Sequence, residues 1–387
     1  MRIADRDNNS GQAFLLVLVA VSVLLALAGS LLLLTRQTKD NIIGEQRFIQ
    51  ALYAADAGIE KTTAKIITEM PDGPPWYTNL SDNGYSVILN GSLPGNARFN
   101  VQAQKAARSN CTSLLLRSVG ECMDDSGKAA AKKTVEADAA VFTTADYFRG
   151  LGILPEAPLL LDNTGYMTIV VHGDLFLNGT LKAIESLQVN GIVYASSTVT
   201  GNYPHEKRSN YSYIPPFPKL NSRHYEERAA SDEHLFYVDA VFTNLPGESA
   251  VYEGFYFIDG DVDISGDYTG SAVFFATGDI TISGDLTPRT GAEDNPDITT
   301  GDLTLIALGD IKLNNCTVYA NLLACGLEVG GNIDLHGTAC VKKIISQPGE
   351  SGSGKLTIYD DNVRIPYHDA IPTAVKIVNW RETYQVF

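Results

Sequence analysis

Five runs in the second half of the chain place an acidic or amide residue directly after a glycine and follow it with alternating apolar residues. They are GDLFLNG at Gly173, GDVDISG at Gly260, GDITISG at Gly278, GDIKLNN at Gly309 and GNIDLHG at Gly331. Their carboxylates are the first candidates for chemistry. Glycosidic hydrolysis needs two carboxyl groups facing one cleft, about 5 to 9.5 Å apart. Asp261, Asp263, Asp279, Asp285 and Asp310 are the residues that could supply them. Most follow a turn glycine, and that regular placement fits corner residues capping their turns better than a catalytic pair. A calcium ladder would use the same carboxylates, but the GGxGxD repeat that specifies one does not occur.

The other chemistry-bearing residues lack the spacing that chemistry needs. The six histidines lie in HGD, PHEK, RHYEER, DEHLF, LHGT and YHDA contexts, with no HExxH and no close paired ligands. They read as surface or satisfied core residues. GESGSGK at Gly349 departs from the phosphate-loop form GxxxxGK[ST], because Leu356 follows Lys355, and it reads as a loop. The five cysteines include no CxxC pair. Cys111 and Cys122 bracket a short loop, residues 110–122, and form a candidate disulfide in a chain that faces outwards. An odd count leaves at least one cysteine outside any such pairing. The sequence thus assigns no catalytic, cofactor-binding or metal-binding residue, and the chain is expected not to be an enzyme.

The elements that position these residues start with residues 13–34, AFLLVLVAVSVLLALAGSLLLL, which carry no charge. At 1.5 Å per residue they span about 33 Å, enough for a hydrocarbon core of about 30 Å. Arg2 and Arg6 are offset by Asp5 and Asp7, and Arg36 and Lys39 flank the other side, so charge sets orientation only weakly. The polar start MRIADRDNNSG ends in Gly11, directly before the apolar run. That is the arrangement of a leader cut in front of a hydrophobic segment that is then retained, with cleavage between Gly11 and Gln12. Beyond the membrane the helix is expected to continue to about residue 69, with Ile42, Ile49, Leu52, Ile59 and Ile66 recurring on one side. Gly29 and Gly44 are candidate bends, and Pro71, Gly73, Pro74 and Pro75 stop it.

Gly11 before an apolar helix, followed by RFIQALYAADAGIEKTTAKI over residues 47–66, resembles the PilX-type N-termini of type IV pilus minor components. The part most similar is Ala54-Ala55-Asp56-Ala57-Gly58-Ile59-Glu60. Major pilins carry a glutamate at the fifth position after the cleavage site; here that position is Leu16. The resemblance therefore implies an accessory subunit rather than a major pilin. It covers about the first sixth of the chain.

Residues 71–142 alternate like four strands, YSVIL, RFNVQAQ, SLLLRSV and KKTVEADAAVF, with turn residues at Asn90-Gly91, Pro94-Gly95-Asn96 and 124–127. A sheet of this kind would bury one face on the amphipathic half of the helix. Beyond residue 149 the glycine-led runs fit rungs of a β-solenoid with variable loops. Val262 and Ile264, Ile280 and Ile282, Ile311 and Leu313, and Ile333 and Leu335 would stack inside. AVFFATGD, LTLIALGD and VYANLLACG would supply the next face. Residues 201–245 break the pattern and read as an insertion packed along the coil. Trp380 and Tyr384 are candidates to cap its end. This half resembles the β-helical region found behind PilX-type N-termini and, more distantly, bactofilins.

The expected organisation is mainly β: a leader over 1–11, a transmembrane helix over 12–35, a pilin-like helix and meander over 36–148, and a β-solenoid over 149–387. A net charge of −16 argues against nucleic acid. The resemblance implies a non-catalytic minor pilin or pseudopilin acting in pilus assembly or adhesion. Its partners would be the membrane, prepilin peptidase and other pilins, its place the cell surface, and its ligand a surface or polysaccharide. Two alternatives stand beside it. One is a membrane-tethered β-helix that binds or cleaves polysaccharide, which exposed aromatics in a line with paired acids would favour. The other is a bactofilin-like self-assembling scaffold, for which an uncapped solenoid end would be the sign.

Overall fold

The computed structural model describes residues 9–68, 76–107, 111–148, 150–157, 159–161, 167–182, 186–201, 206–244, 249–289, 301–346, 354–360 and 372–383. It is mainly strand, with one long N-terminal helix, α1, over Asn9–Thr68. Its 60 residues give a rod of about 90 Å. The helix runs without interruption through Gly29 and Gly44. From Ala51 onward one stripe is buried: Ala51, Ala54, Ala55, Ile59, Thr62 and Ile66, at steps of three and four.

That stripe lies on an antiparallel sheet. The strands β1 (Ser86–Leu93), β2 (Ala97–Ala107), β3 (Thr112–Met123) and β4 (Ala129–Thr143) follow one another as hairpins, as the alternation predicts. Leu114, Leu116, Val135, Ala137 and Ala139 occupy the helix-facing side with Val101 and Ala103. The first turn uses Gly95 and Asn96, both with positive φ (83° and 61°), which glycine and asparagine tolerate. Asn90 and Gly91 do not form a turn. They lie inside β1, where Gly91 makes room for the Phe99 ring, which any Cβ there would strike.

Two expectations about the C-terminus need correction. The strand Pro372–Thr383 is not part of the parallel body: it adds antiparallel to β4 as the fifth strand of the first sheet. Trp380 therefore caps no coil end. Its indole Nε1 donates to Asp56 Oδ1 at 3.2 Å, on α1. Tyr384 lies outside the described residues. The physical reason is pairing: β4 presents an open edge, and an alternating strand of twelve residues satisfies it.

The remaining strands form parallel ladders with their apolar residues in register. One column runs Ala240, Val262, Ile280, Ile311, Leu327, Ile344. A second runs Tyr256, Phe274, Leu305, Leu322, Ala339, Leu151, Leu175, Val193. A third runs Leu286, Val318, Leu335, Ile358, Val171, Val189. These side chains meet in one large buried cluster. In two of the columns the order jumps from 339 to 151 and from 358 to 171. The earlier segment stacks on the far side of the later one, and the chain enters the stack in its middle.

The segment expected as an insertion, 201–245, is narrower than that: Lys207–Arg208, Leu235–Phe236 and Ala240–Thr243 pair in the ladders, and the chain between Arg208 and Leu235 makes this order feasible. After Lys207–Arg208 the chain returns along the outside of the ladders and begins the opposite end at Leu235. On the way it forms a second helix, α2 (Ser222–Ser231). Tyr225 of α2 stacks on Phe275 with ring centroids 4.4 Å apart. Ile214 and Ala229 join the same outer cluster, with Phe257, Ile306 and Leu323. Ala140, Phe142 and Ala374 reach this cluster from the antiparallel sheet, so one apolar layer binds sheet, ladders and return segment together.

Candidate functional site

Gly11 and Gln12, the expected cleavage pair, fall at the very start of α1. From Phe14 to Leu34 the large apolar side chains project into open space, with Leu16 at 71% exposure. This length of unpartnered apolar helix is compatible with a single-pass membrane anchor. The first charges beyond it are Arg36 and Lys39.

The run Ala54–Glu60 that carries the resemblance is used inside the molecule. Ala54, Ala55 and Ile59 are buried, Asp56 accepts from Trp380, and Glu60 is exposed. The small residues are needed because helix and sheet touch backbone to backbone. A Cβ on Gly120 of β3 would collide with the Ala51 carbonyl and the Ala55 amide. A Cβ on Gly58 would collide with Ser118 and Val101.

The glycine-led aspartates, together with Asp239 after Val238, form a hydrogen-bonded ladder. Asp239 Oδ1 accepts the backbone N–H of Asp261 at 2.9 Å, Asp261 Oδ1 that of Asp279 at 2.8 Å, and Asp279 Oδ1 that of Asp310 at 2.8 Å. Beside them the glycine before each aspartate donates to the glycine below: Gly278 to Gly260 and Gly309 to Gly278, each at 3.0 Å. Side chains there are forbidden by space, because a Cβ on Gly278 or Gly309 would strike the aspartate of the previous rung. The repeat therefore encodes a corner: glycine for close stacking, and a carboxylate to satisfy the next rung's amide. Lys312 Nζ meets Asp279 Oδ2 at 2.6 Å and Lys343 Nζ meets Asp310 Oδ2 at 3.3 Å. The Lys312 ammonium holds the Asp279 carboxyl below its usual range, and Asp279 raises Lys312 in return.

Of the other candidates, Asp285 Oδ1 accepts from the Thr317 amide at 2.7 Å, and Asp263 is half-buried on the ladder flank. Among the described residues no three His, Cys, Asp or Glu side chains are placed to hold a metal ion. Only three of the five glycine-led runs share one column. The rung above Gly309 is Gly326–Gly330, whereas GNIDLHG and GDLFLNG sit on other faces. The predicted core residues Val262, Ile264, Ile280, Ile282, Ile311, Leu313, Ile333 and Leu335 are all buried.

Sequence reasoning missed an aromatic row. Tyr319, His336, Tyr359 and His172 occupy one register position on successive rungs and stack with centroids 4.2, 4.7 and 5.0 Å apart. His172 Nδ1 also meets Asn190 Nδ2 at 2.8 Å. The signal was present: each ends an alternating strand, two of them before the next glycine. Of the other histidines, His234 stacks on Tyr256 and His224 lies against Tyr225, while His205 and His368 are outside the described residues.

The candidate disulfide is not made. Cys122 lies near the end of β3 and Cys111 just before its start, so about ten residues of strand, roughly 33 Å, separate them. A disulfide needs Cα atoms within about 7 Å. The two cysteines are close in sequence because they bracket a strand, not a loop.

No protein-family model, no curated protein and no solved structure matches this chain.

Proposed function

We propose that the chain is a non-catalytic, pilin-like minor component of a type IV pilus or related surface apparatus. In this reading α1 first anchors the chain in the membrane and then packs among other pilins after prepilin peptidase cuts behind Gly11. The parallel ladders form a β-solenoid displayed outside the cell. The observation that carries the reading is α1 itself. From Phe14 to Leu34 it is apolar and exposed among the described residues, and without a break its second half docks on a hairpin meander through small residues. A simple membrane tether needs no continuous rod joining anchor and domain.

The test is the mature N-terminus of the protein in its native membrane. N-terminal sequencing should read Gln12, and Gly11→Leu should leave the leader in place. A mature chain that starts at Met1, or one cut equally well with leucine at position 11, refutes the assembly reading and leaves a plain anchor.

The aromatic row is the one observation that favours polysaccharide binding. Its three stacks cover six of the eight ring faces, including both faces of His336 and Tyr359, whereas sugars stack on open faces. The acids nearest the expected chemistry are engaged as corner acceptors. Both features support a structural part for the ladders.

A further inference from the structure

We propose that the open end of the parallel stack, residues 235–244 and 249–251, is a strand-addition site that takes an extended, lysine- or arginine-bearing segment of a second protein. The inference is independent of the assembly reading.

The two ends of the stack differ. At one end the chain folds over its last rung: Glu206 O accepts from the Val193 amide, and Asn210 and Tyr211 donate to Ser197 and Ala195. At the other end, Leu235–Phe236, Ala240–Thr243 and Ser249–Val251 pair with the rungs above through 257–258, 262–265 and 267–269. Among the described residues no strand pairs with their outer side. The Ala240 amide donates inward to Asp261 O at 2.9 Å. Residues of a parallel strand alternate in the side they bond, so the Val241 N–H and C=O face outward.

The rung is preformed. Phe236, Phe242, Tyr252, Tyr256 and Phe274 close the interior with edge-to-face and stacked contacts, so the core beneath is sealed. What stays open is the backbone edge and its apolar margin. Outside α1, nine large apolar side chains are exposed among the described residues. Four of them, Tyr237, Val238, Val241 and Val251, lie on this one rung. An exposed edge with apolar side chains pairs with another strand unless charge or proline blocks it.

Charge selects the occupant. The described residues around this rung, 232–244 and 249–253, contain Asp232, Glu233, Asp239 and Glu253 and no lysine or arginine. Two copies meeting end to end would set these acids against each other. A strand with alternating apolar and basic residues would instead match both the exposed valines and the carboxylates.

The test uses the full chain in detergent micelles and a fluorescent nine-residue peptide alternating valine and lysine, with a valine–glutamate peptide as control. The lysine peptide should bind saturably, and the glutamate peptide at least about tenfold more weakly. Val241→Pro removes the outward N–H without touching the inward ladder, and should weaken lysine-peptide binding about tenfold. Should that variant melt early, Val241→Lys serves instead and should weaken the same peptide severalfold by like charge. Equal binding of the two peptides, or unchanged binding by the variant that remains folded, overturns the proposal. So does a dimer in sedimentation that Val241→Pro dissociates, which would give the edge to a second copy.

Discussion

Gly120→Ala tests whether α1 and the sheet form one rigid body. Gly120 faces the helix from β3, and an added Cβ would lie 1.9 Å from the Ala51 carbonyl oxygen and 2.4 Å from the Ala55 nitrogen. Ordinary contact begins near 3.4 Å, so the helix must retreat by more than an ångström. Both neighbours are backbone, and no rotamer change can relieve them. A gap of about 1 Å forfeits up to half of the dispersion energy of every atom pair it opens. The pairs at risk are those of Ala51, Ala54, Ala55 and Ile59 with the sheet. Overpacking of a core costs about 1–3 kcal/mol, and a backbone clash belongs at the upper end. For a body of this size, about 3 kcal/mol lowers Tm by roughly 6–12 °C. The measurement is thermal unfolding of the full chain in micelles, followed by circular dichroism. Gly29→Ala is the control, because nothing lies within 4 Å of its Cβ position, and it should not lower Tm. A Gly120→Ala protein melting within about 2 °C of the parent would refute the close backbone packing.

Three further outcomes follow from the geometry. The Asp279 pKa is depressed by Lys312, so its stabilisation is full above the normal carboxylate pKa and is lost as pH falls through the folded value. Melting temperature measured from pH 7 down to about pH 3 should fall less steeply in Asp279→Asn than in the parent, and equal slopes would contradict the ladder. Asp138 accepts from Ser113 and, at 2.9 Å, from the Tyr213 hydroxyl, which pins the return segment to the antiparallel sheet. Tyr213→Phe should cost about 1 kcal/mol and hasten protease nicking near residue 213, read by mass spectrometry. Burial pushes the Cys316 thiol up to about 11 and Cys340 higher still, while Cys325 is only half-buried. Maleimide at neutral pH should therefore label Cys325 well before either, and early labelling of Cys340 would mean the outer cluster opens.

The elements legible in the sequence were those whose period is local. The apolar run gave α1, alternation gave β1 to β4, and alternating residues after each glycine gave the buried columns. What stayed hidden depends on pairing at long range. Nothing in WRETY announces that residues 372–383 join β4, because an edge strand alternates in the same way wherever it docks. The order of the rungs was invisible for the same reason: each rung carries a similar apolar pattern, so 151 on 339 fits as well as 151 on its chain neighbours. GLEVGG lacks the aspartate of its column, so GNIDLHG took its place in the reading. The disulfide failed because sequence distance measures a loop well and a strand badly.

The interleaved order of the rungs has a consequence for synthesis. Residues 150–200 leave the ribosome early, yet the strands they need, 339–341 and 355–359, come last. The fifth strand of the meander is later still. Neither body can be completed from its N-terminal half, so folding must wait for a nearly finished chain. The contacts that close the ladder span about 190 residues and those of the fifth strand more, the regime in which loop closure makes folding slow. A chain truncated before residue 339 would lose strands from the ladder and leave β4 unpaired on one side. Completion of the C-terminus thus acts as a check on both sheet bodies before they reach their final rigidity.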